Sequence, residues 1–407
     1  MTTKRYLLAS AATLALNLGT QAAWAQTISG EKVKIGVLTD LSGVYSDISG
    51  PGSVAAARQA VRDFAADGKV LGRPIEIVSA DHQNKPDIAS NKAREWFDRD
   101  NVDAIVDLVN STAALAVMGV AEQKKRITLV SGASSMPITN ERCSAYNVHW
   151  VYDLYPLTNT LPTELVKQGK KRWFFITTDY APGHYSEKRA GESVSAAGGE
   201  IIGSVRHPLG ATDMSSFLLR AQASKADVIA LASTGQDAVN AINQAAEFGV
   251  GGKQVIVPLL LFINDVHALG LKKMQGSLLV EAFYWDRDER TRSFARKFHE
   301  SQKRMPNMIH AGVYSSVLNY LRAVQAAGTD DADAVMKQLK SKEIDDGLFK
   351  GRIRSDGRFV HDMMMVEVKK PSESTGPWDY YKVRQVIPPE ATAQPLTQSR
   401  CPLVAPR

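Results

Sequence analysis

The stretch VKIGVLTDLSGVYSDISGPGSVAAARQAVRDFAADG (33–68) joins two periodicities through a polar loop. VKIGVLTD (33–40) is a short apolar run rich in β-branched residues and predicts a strand. In SVAAARQAVRDFAADG (53–68), Val54, Ala57, Val61, Phe64 and Ala65 fall on one helical face. Between them, LSGVYSDISGPG (41–52) supplies Gly, Ser, Tyr and Asp. A strand, a polar loop and a helix in that order is how α/β proteins build ligand sites, with the loop at the carboxyl end of the strand.

The alternation continues outward from this unit. PIEIVSAD (74–81), VDAIVDLV (102–109) and ITLVSGA (127–133) read as strands, with helices over 86–99, opened by Pro86, and 111–125. A second set follows Trp150: strands RWFFITTD (172–179), EIIGSVRH (200–207), DVIALAS (227–233) and QVIVPLLL (254–261), separated by helices near 185–197, 213–224 and 237–248. Near-continuous apolar strands alternating with helices imply parallel sheets covered on both faces. Two such halves exceed one core, so the fold class is α/β with two Rossmann-like lobes. Past residue 276 come SLLVEAFYW (277–285), helices over 289–304, 309–328 and 331–342, and a β-like end in FKGRIRS and DMMMVEVKK. The Pro-rich residues 388–407 predict an extended surface tail.

Composition narrows the function. Of 407 residues, 44% are hydrophobic and 23% charged, enough for about two or three cores. Lys4 and Arg5, the apolar run LLASAATLALNLG (7–19) and Ala23-Trp24-Ala25 form an export signal pattern over 1–25, with cleavage expected after Ala25. The apolar run is short of the roughly 20 residues a membrane span needs. The net charge of +6 falls to +4 without Lys4 and Arg5, and no basic cluster with interleaved aromatics stands out, so a nucleic-acid partner is not expected. Cys143 and Cys401 are the two cysteines, and in an oxidising compartment they are expected to pair.

Catalytic signatures are missing. GPGSVA (50–55) fits a dinucleotide fingerprint on paper, but Gly50 lies nine positions after Leu41 and Pro51 removes a backbone donor. There is no nucleophile elbow, no paired metal-binding histidines on a helix and no P-loop; the eight histidines are scattered. No enzyme activity, cofactor or metal is expected. What recurs is a set of small polar residues at the carboxyl ends of first-half strands: Ser42 to Ser46, then Asn110-Ser111-Thr112, then Gly132-Ala133-Ser134-Ser135. Such a serine is often a plain helix cap. Three such loops on one sheet edge suit a small anion such as a carboxylate.

With these residues in view the chain resembles a type I periplasmic binding protein, in the leucine and branched-chain amino-acid class of ABC-importer receptors. KIGVLTDLSGVYSDIS…GSVAAARQAV, IEIVSADHQNKPDIASNKARE, DAIVDLVNSTAALAV, ITLVSGASSMPIT, TTDYAPGH and QAAEFG carry the resemblance, in order, from about 30 to 385. It implies two lobes joined by three crossovers that close over a solute: 26–148 with about 281–352, and 149–280 with about 353–387. It implies first-lobe contacts from Tyr45, Ser46, Asn110, Ser111 and Ala133 to Ser135, with Ser111 and Ser135 as carboxylate donors. Trp150 and Tyr152 would sit by the first crossover. Tyr180, His184, Thr234, Gln236, Leu260 and Phe262 would face them from the second lobe. Leucine-type receptors carry a carboxylate after the strand matching 254–261, where this chain has Pro258-Leu-Leu-Leu-Phe262, and Pro182 replaces the family's aromatic in APGH.

The resemblance thus implies a periplasmic, monomeric solute receptor that hands a small carboxylate-bearing molecule to an ABC permease in the inner membrane. A receptor presenting ligand to a membrane sensor is the first alternative, and a secreted α/β enzyme the second.

Overall fold

The computed structural model describes residues 28–250 and 254–404; the expected export signal lies outside them. Strands β1 (Val33–Thr39), β2 (Lys69–Val70), β3 (Arg73–Asp81), β4 (Ala104–Asp107), β5 (Ile127–Val130) and β6 (Asn147–His149) form a six-stranded sheet in the order β2-β3-β1-β4-β5-β6. All its pairings are parallel except β2 with β3. Helices α1 (Gly50–Phe64), α2 (Pro86–Asp98) and α3 (Ser111–Gln123) connect the strands. The strand expected over 102–109 is cut to four residues because Asp107 and Leu108 both take positive φ, 79° and 57°, and turn the chain into the next loop.

Helix α4 (Leu154–Lys167) leads into the second unit, where β7 (Arg172–Thr178), α5 (Ala181–Ala196), β8 (Glu200–His207), α6 (Ser215–Ala223), β9 (Val228–Ala232), α7 (Gln236–Glu247) and β10 (Val255–Pro258) alternate. Their four strands are parallel, in the order β10-β9-β7-β8. Short helices α8 (Ile263–Leu269) and α9 (Leu271–Met274) precede β11 (Leu278–Glu281). Then come α10 (Glu289–Gln302), α11 (Met308–Ala327) and α12 (Ala332–Ser341), with α11 packed on both α1 and α12.

The remainder is antiparallel. Strands β12 (Ile344–Asp345), β13 (Lys350–Ile353) and β14 (Phe359–His361) form one small sheet, and β15 (Met363–Val368) and β16 (Tyr381–Ile387) join β11 in another. Residues 388–404 run on through two short 3₁₀ turns to Cys401, whose sulfur is bonded to that of Cys143 with the Cα atoms 5.6 Å apart.

The chain passes between the two large sheets at 150–153, 282–288 and 354–362. The first and last of these passages are stitched together by Arg358, which is fully buried. Its guanidinium meets Asp153 at 3.1 Å and donates to the carbonyls of His149 at 3.1 Å, Trp150 at 3.3 Å and Val151 at 3.1 Å. A buried charge needs such a full set of partners.

Candidate functional site

The loop after β1 is shaped from within. Asp40, fully buried, accepts the backbone N–H of Gly43 at 2.7 Å and of Tyr45 at 2.9 Å, and the side-chain amide of Asn84 at 2.6 Å. A Cβ on Gly43 would lie 2.8 Å from either Asp40 carboxylate oxygen, so glycine is what lets the chain wrap this tightly. The turn places the Tyr45 hydroxyl 2.9 Å from that of Tyr180, which precedes α5 in the opposite unit. Burial pushes the Tyr45 phenol well above its ordinary range and the Tyr180 phenol up to about 12, so both remain neutral.

Two further loops leave the same sheet edge. After β4, the Asn110 carboxamide oxygen accepts the N–H groups of Thr112 and Ala113, each at 3.0 Å. Asn110 is therefore the cap of α3, and Ser111, 3% exposed, is the first helical residue rather than the cap. After β5, Ser135 precedes a 3₁₀ turn and makes no side-chain capping bond. The Ala133 carbonyl sits 2.7 Å from His149 Nε2, and the half-buried Ser134 accepts the Leu154 N–H at 3.0 Å through its carbonyl. Tyr152, buried, donates its hydroxyl to the Gly132 carbonyl at 2.6 Å and sets its ring edge-on to Phe262, centroids 6.2 Å apart.

The facing wall is built at the carboxyl ends of β7, β8 and β9. The Ser233 hydroxyl lies 2.7 Å from His207 Nε2 and 3.0 Å from the Thr178 hydroxyl. Ser134 on one side and Thr178, Tyr180, Ser233, Thr234, Leu259 and Leu260 on the other bound a cavity of about 30 Å³. That is room for one water and for no organic acid.

The residues expected in the site do not all meet there. Tyr45, Ser134, Tyr152, Tyr180, Thr234, Leu260 and Phe262 gather around this cavity or the rings beside it. Ser46 and Gln236 line a second, outer groove of about 840 Å³ between the lobes, shared with Asp265, His267 and Arg304. Trp150 is fully buried in the crossover, its indole N–H donating to Ser315 at 2.9 Å. His184 is half-buried and pairs with Asp179 at 2.6 Å.

Three acids stand near the second wall. Asp237 accepts the Gly210 N–H on both oxygens, each at 3.1 Å. Asp265 accepts the Phe262 N–H at 2.9 Å, and burial pushes its carboxyl up to about 7. Glu281, at the end of β11, takes the Tyr381 hydroxyl at 3.0 Å and is held well above the carboxylate range by burial. None of the three bounds the small cavity.

Thr178, Ser233 and His207 escaped the sequence reading, which sought hydroxyls at strand ends in the first half only. TTD (177–179) and ALAS (230–233) carry the same signal in the second.

Two parallel α/β units, hinged by three passages and meeting over a cleft lined by hydroxyls and rings, define a receptor fold that encloses a small solute. The chain belongs to the periplasmic binding protein family, whose model matches residues 32–376. A crystal structure of a periplasmic binding protein from Burkholderia mallei is 51% identical, with a TM-score of 0.89 over 92% of this chain and 99% of that one. A branched-chain amino-acid ABC transporter periplasmic ligand-binding protein from Burkholderia xenovorans is 41% identical, with a TM-score of 0.80 over 92% and 100%. A Leu/Ile/Val-binding protein homolog 6 from Brucella melitensis is 24% identical over 243 residues, 58% of this chain and 61% of that protein. The chain thus spans about three-fifths of the length of that curated relative. These likenesses match the leucine and branched-chain class that the sequence resembles. Among the described residues, no helix is long and apolar enough to cross a membrane.

Proposed function

We propose that the protein is the periplasmic solute-binding component of an ABC importer of the branched-chain amino-acid class, and that it captures a small carboxylate by lobe closure without making or breaking a bond. The observation that carries this reading is the contrast between the two walls. Of the first-lobe loops Ser134 bounds the cavity, and Ser111 and Ser135, in the same set of loops but outside its lining, stand at helix starts without capping bonds, which suits a carboxylate. The opposite wall offers Leu259 and Leu260, with Phe262 behind, and Asp237, Asp265 and Glu281 all lie outside the residues that bound the cavity, although Asp237 or Asp265 could supply a charge if the cleft opens toward them. An unpaired ammonium buried there would cost several kcal/mol.

The favoured solute is therefore a carboxylate with an apolar or aromatic body and no amine, delivered by a monomeric receptor to a permease in the inner membrane. Family membership supports the branched-chain amino acids as the second reading. A thermal-shift panel of leucine, valine, benzoate and hydroxycinnamates tests it, since a ligand bound by the folded state alone raises the melting temperature. The amine-free acids are expected to stabilise most; the largest shift from leucine or valine would reverse the order of the two readings.

A further inference from the structure

The hydroxyl cluster on the second wall has a direction. His207 Nδ1 lies 2.9 Å from the Pro208 carbonyl oxygen, which can only accept, so of the two imidazole tautomers the contact selects the one with its proton on Nδ1. Nε2 is then a lone pair. Two hydroxyls face it, Ser233 at 2.7 Å and Thr178 at 3.3 Å, and the nearer, Ser233, donates to it. The Thr178 hydroxyl, 3.0 Å from Ser233 Oγ, donates in turn to Ser233. Both hydroxyl protons are used inside the cluster, and what Thr178 and Ser233 have left to offer the cavity are oxygen lone pairs. His207, Thr178 and Ser233 are 1%, 2% and 7% exposed, so a solute that fills the cavity displaces the one water that could reach them. Beside them Thr234 Oγ1 is buried and has no hydrogen-bond partner among the described residues.

We infer that the solute carries a hydrogen-bond donor, a hydroxyl or N–H, at the end remote from its carboxylate, and that Thr178 and Ser233 accept from it. His207 is a positioning residue that fixes the direction of the chain of hydrogen bonds. A second carboxylate at that end would meet lone pairs and be rejected; a plain methyl or ring edge would strand them. This specificity rests on the carboxylate reading of the first lobe.

Titration calorimetry on the full mature chain, with two matched series, tests it: benzoate, 4-hydroxybenzoate, 4-methoxybenzoate and terephthalate, then hexanoate, 6-hydroxyhexanoate and adipate. In the series that fits the cleft, the hydroxy acid is expected to bind at least ten-fold tighter than its parent acid, methyl ether or diacid. Ser233→Ala should narrow that ratio. His207→Phe, whose ring would keep the packing against Phe217, frees the Ser233 proton and should raise the affinity of the diacid relative to the hydroxy acid. A merely structural role for His207 would weaken all acids alike and leave the ratios unchanged. If His207→Phe does not fold, the wild-type ratio and Ser233→Ala decide. Binding of the acids without preference for the donor overturns this inference and leaves the carboxylate reading standing. Failure of every acid to bind overturns both.

Discussion

Tyr45 and Tyr180 meet hydroxyl to hydroxyl at 2.9 Å, one from each lobe, directly over the small cavity. Tyr45 is buried and Tyr180 half-buried, and the bond between them exists only while the lobes touch. Removing one oxygen as Tyr180→Phe deletes a bond worth about 1 kcal/mol in the closed state, a shift of roughly five-fold toward open. Small-angle scattering without solute should show a larger radius of gyration for Tyr180→Phe than for the wild type, with the difference vanishing at saturating solute. Identical curves for the two unliganded proteins would mean the tyrosines do not hold the lobes together.

Closure also depends on a glycine. The Gln236 N–H donates to the Val44 carbonyl across the lobes at 3.2 Å, and a Cβ on Gly235 would sit 2.7 Å from that same oxygen, at a φ of 60°. Gly235→Ala should fold but stop short of full closure, raising the solute off-rate by ten-fold or more. Stopped-flow dissociation measures this; an unchanged off-rate would show that the loops yield.

Arg358 and Asp153 hold two crossovers together from a fully buried position. Arg358→Leu leaves the Asp153 carboxylate and four carbonyls, that of Phe359 at 2.6 Å among them, without their donor, and is expected to cost about 3–5 kcal/mol in urea unfolding. Adding Asp153→Leu should recover part of that loss. A double variant no more stable than the single would mean that the carbonyl contacts, rather than the ion pair, carry the energy.

Asp265 gives a signed pH dependence. Its carboxyl is pushed from 3.8 up to about 7 by burial, with Asp47 across the groove adding to the shift and the Phe262 N–H opposing it; buried Glu281 is the other acid facing it. The folded state holds a proton that the unfolded chain releases above about pH 4. The stability from this group is therefore full below that point and is lost as pH rises to 7, by up to about 4 kcal/mol. Asp265→Asn keeps an oxygen for the Phe262 N–H and cannot ionise. Its stability relative to wild type should climb between pH 4.5 and 7.5; a flat difference across that range would place the carboxyl at its ordinary value.

The Cys143–Cys401 bond closes a loop of 258 residues. In the chain-entropy model such a loop contributes roughly 5 kcal/mol, less any strain. Replacing both cysteines by serine should lower stability by several kcal/mol and make residues 388–404 the first part cut by protease. An unaltered melting temperature would show that the trailing segment is held by its other contacts.

Much of this was legible in the chain. The 33–68 stretch alone gives a strand, a site loop and a helix, and its repetition gives the two parallel sheets, because periodicity follows directly from which face is buried. The loop tyrosines and serines were readable for the same reason: strand ends are where such sheets hold ligands. The antiparallel pairing of β11 with β15 was not, since it joins residues more than eighty positions apart. Nor could spacing show that Trp150 turns into the crossover, because its partner Ser315 lies far along the chain. Arg358 reads as one more basic residue until its five-residue neighbourhood is assembled. The Thr178–Ser233–His207 cluster was within reach, as each member ends a readable strand, but its direction depends on the Pro208 carbonyl, and only coordinates give that.

The packing of α11 on α1 carries a consequence for biogenesis. The first sheet is complete by residue 149 and α1 packs on its strands β1 and β3, yet α1 gains its helix neighbours α10 and α11 only later, and the passage at 150–153 then gains Ser315 and Arg358. During synthesis the leading half therefore lacks part of its cover, because the entropy of closing so long a loop must be met before those later contacts form. A chain built in this order completes its native packing only after nearly all of it has been made.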